Sequence, residues 1–362
     1  MPDGVQPVSR PQTVDVSFVL PCLNEALSLA ACVAAVRQAQ DVIQVRFGLA
    51  SEIVVADNGS TDGSQALAEA LGARVIAVAQ KGYGAALSGG FRAAAGRYLV
   101  MGDADGSYDF REAVAMIGAL IDGADLCMGS RFAGGIKPGA MPWKNRYIGN
   151  PLLTGILNLL FRAQVTDAHC GLRALTKASF ERLQLTGAGM EFASEMVIKA
   201  ALMGERIVER PATLSPDLRD RAPHLRPWRE GWRHLRYLFM LSPAWLFALP
   251  GAVFVAMGSL ILAISGVHFL IAPRVIFYFG NYWDVLAGAL VGLGHIALVL
   301  ALASYLHGVR AGYRRPTAWY ERLSRWVTLE TMILIGLALA IAGLAELGWV
   351  LEEWSAGRLT RL

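Results

Sequence analysis

Between residues 14 and 130 the chain alternates short β-rich runs with segments whose apolar residues recur at helical spacing. The runs are VDVSFVL from Val14, EIVVAD from Glu52, RVIAVA from Arg74, RYLVMG from Arg97 and DLCMGS from Asp125, while 25–38 and 64–71 have the helical spacing. Alternation of this kind predicts an α/β domain with a parallel sheet. The pattern then changes: residues 237–273 hold no Asp, Glu, Lys or Arg, and about 20 apolar residues suffice to cross a bilayer. Spans are predicted at 245–270, 285–306 and 327–350, the last carrying Glu330 and Glu346.

Composition agrees with this division. The chain has 362 residues, 54% hydrophobic, with a mean hydropathy of +0.42, whereas roughly 45–50% apolar is usual for a soluble protein. The expected organisation is a tail at 1–13, an α/β domain at 14–227, an interfacial amphipathic helix at 228–242 and a helical membrane domain at 243–362. In the amphipathic segment Arg229, Arg233 and Arg236 alternate with Trp228, Trp232 and Tyr237, a composition suited to the membrane surface. Basic residues cluster at 219–236 and at 307–325, so the positive-inside rule puts both segments, and the α/β domain, on the cytoplasmic side. No signal peptide is visible in Met1 to Thr13. The cysteines, Cys22, Cys32, Cys127 and Cys170, form no CxxC pair and are expected to be reduced and structural.

In parallel α/β sheets ligands sit beyond the carboxyl ends of the strands. Beyond the first strand comes Pro21-Cys22-Leu23-Asn24-Glu25, beyond the second Asp57-Asn58-Gly59-Ser60-Thr61-Asp62-Gly63, and beyond the fourth Asp103-Ala104-Asp105 within MGDADGSYDF. Taken singly, each is equally well a helix cap, a turn or a solvated acidic loop. Together on one rim they suit nucleotide-sugar transfer, in which a hard divalent cation held by one or two carboxylates neutralises a diphosphate leaving group. Lys81-Gly82-Tyr83-Gly84 opens a helix where backbone could approach phosphate; it lacks the spacing and first-strand position of a dinucleotide fingerprint, so a nicotinamide cofactor is disfavoured.

These motifs, with Gly129-Ser130-Arg131, resemble those of family 2 glycosyltransferases of the GT-A fold across roughly residues 14–220. The membrane spans after this region make the chain similar to polyprenyl-phosphate glycosyltransferases such as dolichyl-phosphate mannose and glucose synthases. The resemblance implies a GT-A domain, Rossmann-like and mostly parallel, followed by transmembrane helices in a plasma or inner membrane of bacterial type. It implies a nucleotide-sugar pocket of Pro21, Asn24, Glu25, Asp57, Asn58, Lys81, Asp103 and Ala104, with Arg219 and Arg221 on a loop closing over the diphosphate. Asp103, Asp105 and Arg131 would be catalytic, with Arg131, Arg146 and Asn150 at the acceptor phosphate. The cofactor would be Mg²⁺ or Mn²⁺, held chiefly by Asp105. Relatives carry Leu-Gln after the acidic pair where this chain has Gly106-Ser107, so Ser107 or Asp109 would take the place of the glutamine.

The implied reaction is inverting transfer of a hexose from a donor of UDP-glucose or GDP-mannose type to polyprenyl phosphate at the cytoplasmic face. Two alternatives stand beside it. A processive polysaccharide synthase would need Gln-x-x-Arg-Trp, which Arg226-Pro227-Trp228 does not match; a non-catalytic nucleotide-sugar sensor would keep the fold without turnover. The expected partners are donor, lipid acceptor and membrane, with a homo-oligomer left open and no nucleic acid. His169 is read as structural, because a phosphate acceptor is already anionic and needs no base. Glu191 and Glu195, four apart, either face the pocket or sit in a helix cap and surface position.

Overall fold

The structure, a computed structural model, describes residues 14–218, 227–271, 281–326 and 328–356. Seven strands form one sheet: β1 (Val16–Cys22), β2 (Ser51–Asp57), β3 (Arg74–Ala77), β4 (Tyr98–Met101), β5 (Leu126–Ser130), β6 (Arg173–Thr176) and β7 (Ile207–Pro211). Their order is β3-β2-β1-β4-β6-β5-β7. All neighbours pair parallel except β6, which runs antiparallel to both β4 and β5. Sequence patterning missed β6 and β7, whose short runs RALT and IVERP carry charge and little alternation.

Both faces of the sheet are covered, so strand residues alternate between two cores rather than between core and water. Phe18 and Leu20 of β1 enter one core with Leu29, Val36 and Phe110, and Val19 between them enters the other with Phe91, Met101 and Phe192. Pro21 is tolerated in this central strand because the β1–β4 ladder ends at Val19 and Met101, before the missing N–H. Helix α1 (Ala26–Phe47) extends past the predicted end at 38: Ala39 and Ile43 continue its buried stripe, and left-handed Gly48 stops it, its N–H donating to the Gln44 carbonyl at 3.0 Å. Helix α1 is long and apolar enough to cross a membrane, but its stripe of Leu29, Val33, Val36 and Ile43 packs on the sheet.

The remaining helices of this part are α2 (Ser64–Ala70), α3 (Tyr83–Ala93), α4 (Ala113–Ile121), α5 (Arg131–Gly134), α6 (Asn150–Phe161), α7 (Lys177–Leu183) and α8 (Glu191–Met203). They are followed by α9 (Pro227–Met240), which buries Leu238 in the second core, joined there by Leu241 just beyond the helix, and turns Trp232 and Met240 outward. Helices α10 (Leu249–Ile271) and α11 (Asn281–Arg310) pack as a hairpin of membrane-spanning length. In a separate compact unit, 315–362, lie α12 (Ala318–Leu323) and α13 (Leu329–Ser355), the latter also apolar and long enough to span.

Without a hydrophobic driving force in lipid, such a hairpin depends on close backbone approach at small residues. A Cβ on Gly294 would lie 2.6 Å from the Gly251 carbonyl oxygen, and one on Gly251 would lie 2.9 Å from that of Gly294. Gly294→Val should therefore lower the melting temperature of the detergent-solubilised protein by about 5 °C, whereas Gly288→Val, at a helix position open to its surroundings, should change it little; equal shifts would count against this packing.

Candidate active site

The loops after β1 and β2 are stitched together by side chains that answer each other's backbone groups. Asn24, in the left-handed region at φ 58°, accepts from the Thr61 N–H at 2.7 Å, while the Ser60 hydroxyl accepts from the Asn24 N–H at 2.9 Å. The Ser64 hydroxyl takes the Glu25 N–H at 3.0 Å, and Asp62 takes that of Ala26 at 3.0 Å. Asp57 lies at the carboxyl end of β2 and accepts from the N–H groups of Gly59 and Ser60 and the Gln65 amide, at 2.8, 3.1 and 2.6 Å. Burial pushes its pKa up, but these hydrogen bonds outweigh burial and hold the carboxyl below its usual range.

The Asn58 side chain is bonded to backbone. Its amide donates to the carbonyls of Val78 and Gln80, at 3.0 and 2.7 Å, and accepts from the Gly82 N–H at 2.8 Å, so it braces the β3–α3 turn. Lys81 is exposed, with its ammonium 2.5 Å from the Asn58 carbonyl. The glycines beside it serve protein packing: a Cβ on Gly82 would collide with the Ala188 carbonyl and one on Gly84 with that of Gly187. That same Ala188 carbonyl accepts the Ala85 N–H of α3 at 3.1 Å, removing one of the helix's donors from any phosphate.

The loop after β4 carries the acidic pair. Asp105 is buried, and its Oδ1 accepts from the Ser107 N–H at 2.9 Å, which fixes the carboxylate in the turn. Asp103 lies against Gly171 and beside the Tyr83 hydroxyl, which burial and this carboxylate together hold well above its ordinary pKa. The Ala104 carbonyl is held by the Ser28 hydroxyl at 2.6 Å. Tyr83 and Ser28 were not identified from sequence, because nothing local marks a tyrosine at a helix start or a serine on a core stripe as partners of a loop 20 or 76 residues away.

Asp109 does not join this pair. It caps the turn Phe110–Glu112 and binds the Arg111 guanidinium through both oxygens, at 2.8 and 2.6 Å, so its carboxyl is held below the usual range by Arg111. Ser107 is buried, its carbonyl taken by the Ser215 N–H at 2.9 Å. Among the described residues no three His, Cys, Asp or Glu side chains gather as a metal cage. The donor chemistry nevertheless fits a hard cation of the Mg²⁺ or Mn²⁺ kind, which takes one or two carboxylates and fills its remaining positions with ligand oxygens and water; Asp105 and Asp103 are the groups that would hold it.

On the opposite side Arg131 and Asp167 form a buried bidentate pair, Nε to Oδ2 at 2.6 Å and Nη2 to Oδ1 at 2.7 Å, with side-chain exposures of 9% and 0%. Two of its three nitrogens are thereby occupied by Asp167. Nη1 alone has no hydrogen-bond partner among the described residues. Arg173, wholly buried, donates to the carbonyls of Cys170 and Ala168 at 2.8 and 2.9 Å and also to that of Ala193. His169 has a shut-in Nε2 without a partner, and burial, with His234 beside it, lowers its pKa to about 3. The four cysteines are buried and unpaired, and burial raises their thiol pKa values, that of Cys32 to about 12.

Arg146 lies in the π-helical turn Asn145–Gly149, stacked 5.4 Å over the Tyr147 ring, and Asn150 donates to the Met141 sulfur at 3.4 Å. Around them Trp143, Tyr147, Ile148 and Leu152 are more than half exposed, an apolar and cationic surface suited to a lipid interface. Arg219 and Arg221 lie outside the described residues. The chain leading to them is anchored at the acidic loop, where the Leu218 N–H donates to the Asp105 carbonyl at 2.9 Å.

The fold is a mostly parallel sheet with acidic loops on its carboxyl rim, followed by helices long and apolar enough to cross a membrane. Residues 17–184 match the model of glycosyl transferase family 2, and residues 301–362 match that of the glycosyltransferase family 2 C-terminal transmembrane region. The low-salt glycan biosynthesis hexosyltransferase Agl6 of Haloferax volcanii is 37% identical over 94% of this chain and 81% of its own. A dolichyl-phosphate hexose transferase of the same organism is 28% identical over 54% of this chain and 81% of its own, and the dolichol-phosphate mannosyltransferase of Pyrococcus furiosus 27% over 62% and 63%. The chain belongs to glycosyl transferase family 2 and is an integral membrane glycosyltransferase.

Breaking a buried ion pair from one side strands the other charge and costs about 3–5 kcal/mol. Asp167→Leu and Arg131→Met should each lower the melting temperature of the full-length protein more than the double variant does; additive losses would refute coupling. His169 stays neutral down to about pH 3, whereas an unperturbed imidazole charges near 6.5. In that window the unfolded chain binds the extra proton, so stability falls as pH drops from 7 to 5. His169→Asn should flatten this fall by a few degrees in melting temperature, and parallel curves for the two proteins would count against a buried neutral imidazole.

Proposed function

We propose that the enzyme transfers a hexose from a nucleotide sugar, of UDP-glucose or GDP-mannose type, to a polyprenyl phosphate. The carrying observation is the Asp103–Asp105 loop on the carboxyl rim in a chain that also spans the membrane and exposes Trp143, Tyr147, Ile148 and Leu152 beside Arg146. The names of the Haloferax and Pyrococcus relatives, with their dolichyl and dolichol phosphates, support the acceptor class.

An acceptor phosphate oxygen would attack the anomeric carbon as the bond to the diphosphate breaks, inverting configuration and releasing nucleoside diphosphate. No base is required, which suits the neutral, enclosed His169. A divalent cation held by Asp105 would offset charge on the departing diphosphate. Asp103, with Tyr83 on it, would orient the sugar, Asp57 and Glu25 would line the nucleoside side, and Nη1 of Arg131 with Arg146 and Asn150 would receive the acceptor. Arg219 and Arg221 would close over the diphosphate. The basic segments 219–236 and 307–325 support placing this reaction at the cytoplasmic face.

Asp105→Ala in the purified full-length protein, assayed against a panel of nucleotide sugars with undecaprenyl phosphate and Mg²⁺ or Mn²⁺, should lower transfer by at least about 100-fold. Near-normal transfer by the variant would sink the assignment, and donor binding by wild type without any turnover would favour a sensor.

A further inference from the structure

Three groups between α8 and the membrane-side elements have no place in the transfer reaction: Glu195, Lys199 and Tyr237. Glu195 and Lys199 are one turn apart on α8, paired at 2.7 Å, with side-chain exposures of 0% and 6%. A buried pair of this kind is weak evidence for stability, since apolar residues of similar volume do as well. Its connections are more informative. Glu195 accepts the N–H groups of Thr186 and Gly187 at 3.1 and 2.7 Å, as well as the Thr186 hydroxyl at 3.1 Å. The Tyr237 hydroxyl of α9 also donates to it. The Lys199 ammonium donates to the Gln184 carbonyl at 2.7 Å and sits 5.7 Å from the Tyr313 ring centroid. Tyr313 lies three residues past the end of α11, and its neighbour Arg314 donates to the Leu241 carbonyl at 2.8 Å, just past the end of α9.

The loop that Glu195 holds is the one packed on the start of α3. Ala188 accepts the Ala85 N–H at 3.1 Å, and Gly82 and Gly84 have no room for a side chain beneath it. Between those glycines stands Tyr83, whose hydroxyl lies beside the Asp103 carboxylate. A hydrogen bond, an ion pair, a cation over a ring and backbone in direct contact thus run from the tyrosine after a spanning helix to the start of α3, where Tyr83 stands beside the acidic loop.

We propose that the Glu195–Lys199 pair is a positioning element for the active site: it holds residues 186–189 against α3, and so keeps Tyr83 on Asp103, while Tyr237 and Tyr313 fix the pair from the membrane side. The catalytic consequence rests on the transferase reading; the physical tie does not.

Tyr237→Phe removes one hydroxyl, and Tyr313→Leu removes the ring under the ammonium, so both should leave the fold intact. In the full-length protein in detergent each should raise hydrogen exchange at the Gly187 and Ala85 amides about fivefold, with melting temperature within a few degrees of wild type. Each should also lower kcat about tenfold with donor KM little changed, because misplacing a positioned group acts on the chemical step. Tyr313→Phe, which keeps a ring for the cation, should restore both readouts, and Lys199→Arg should be milder than Lys199→Met. Unchanged exchange at Gly187 would overturn the proposal, as would raised exchange with an unchanged kcat, or a kcat loss that tracks general melting of α8. If wild type turns over no donor in the panel, the transferase reading fails and exchange alone decides the tie, an unaltered Gly187 amide overturning it.

Discussion

The carboxyl rim of this sheet hangs on the buried pair between Arg131 and Asp167. Arg131 opens α5 directly after β5, and Asp167 lies in the loop that returns the chain to β6, so two N–H···O bonds, at 2.6 and 2.7 Å, join the segments flanking the 130–167 excursion. Two charges removed from water need this geometry, with each lone pair and proton answered. The Arg131 N–H also donates to Asp167, and the Thr166 and Asp167 N–H groups donate to Glu209. Once this excursion is closed, β6 enters antiparallel between β4 and β5 and brings Gly171 against Asp103.

The same requirement, that polar groups shut away from water find partners, shapes the rest of the rim. Loops this dense in Asp, Asn, Ser and Thr satisfy one another first. Asn24 and Asn58 are thereby committed to backbone, and Asp109 to Arg111. Asp103 and Asp105 sit in a turn braced by Ser28 and the Leu218 N–H, with Tyr83 beside it. Rigid placement of this kind matters for group transfer, because a shift of about 1 Å in a reacting group costs orders of magnitude in rate.

Membrane and catalytic parts are joined by ordinary core packing as well as by polar contacts. Leu238 and Leu241 enter the same core as Phe91 and Phe192, while Tyr237 and His234 reach α8 through Glu195 and Ser194. A helix of interfacial composition is thus part of the domain's own core and not a tether, and its basic residues suit an anionic lipid surface.

Periodicity was enough to identify β1 to β5 and the helices of membrane length, and the motifs after the strands marked the acidic rim, because each depends on local spacing of apolar and turn residues. Helix α1 ran further than its spacing suggested, since the stop came from Gly48 and not from a break in polarity. Strands β6 and β7 were invisible: four or five residues with charged positions become strands only when neighbouring edges offer hydrogen bonds. The acidic pair and Arg131 were legible as types at positions; whether each side chain faced a ligand or a partner was not. That was decided by residues distant in sequence, Asp167 for Arg131, Tyr83 for Asp103 and Val78 for Asn58. Hydrogen bonding is directional and short-ranged, so only the folded chain determines which acceptor a given donor meets.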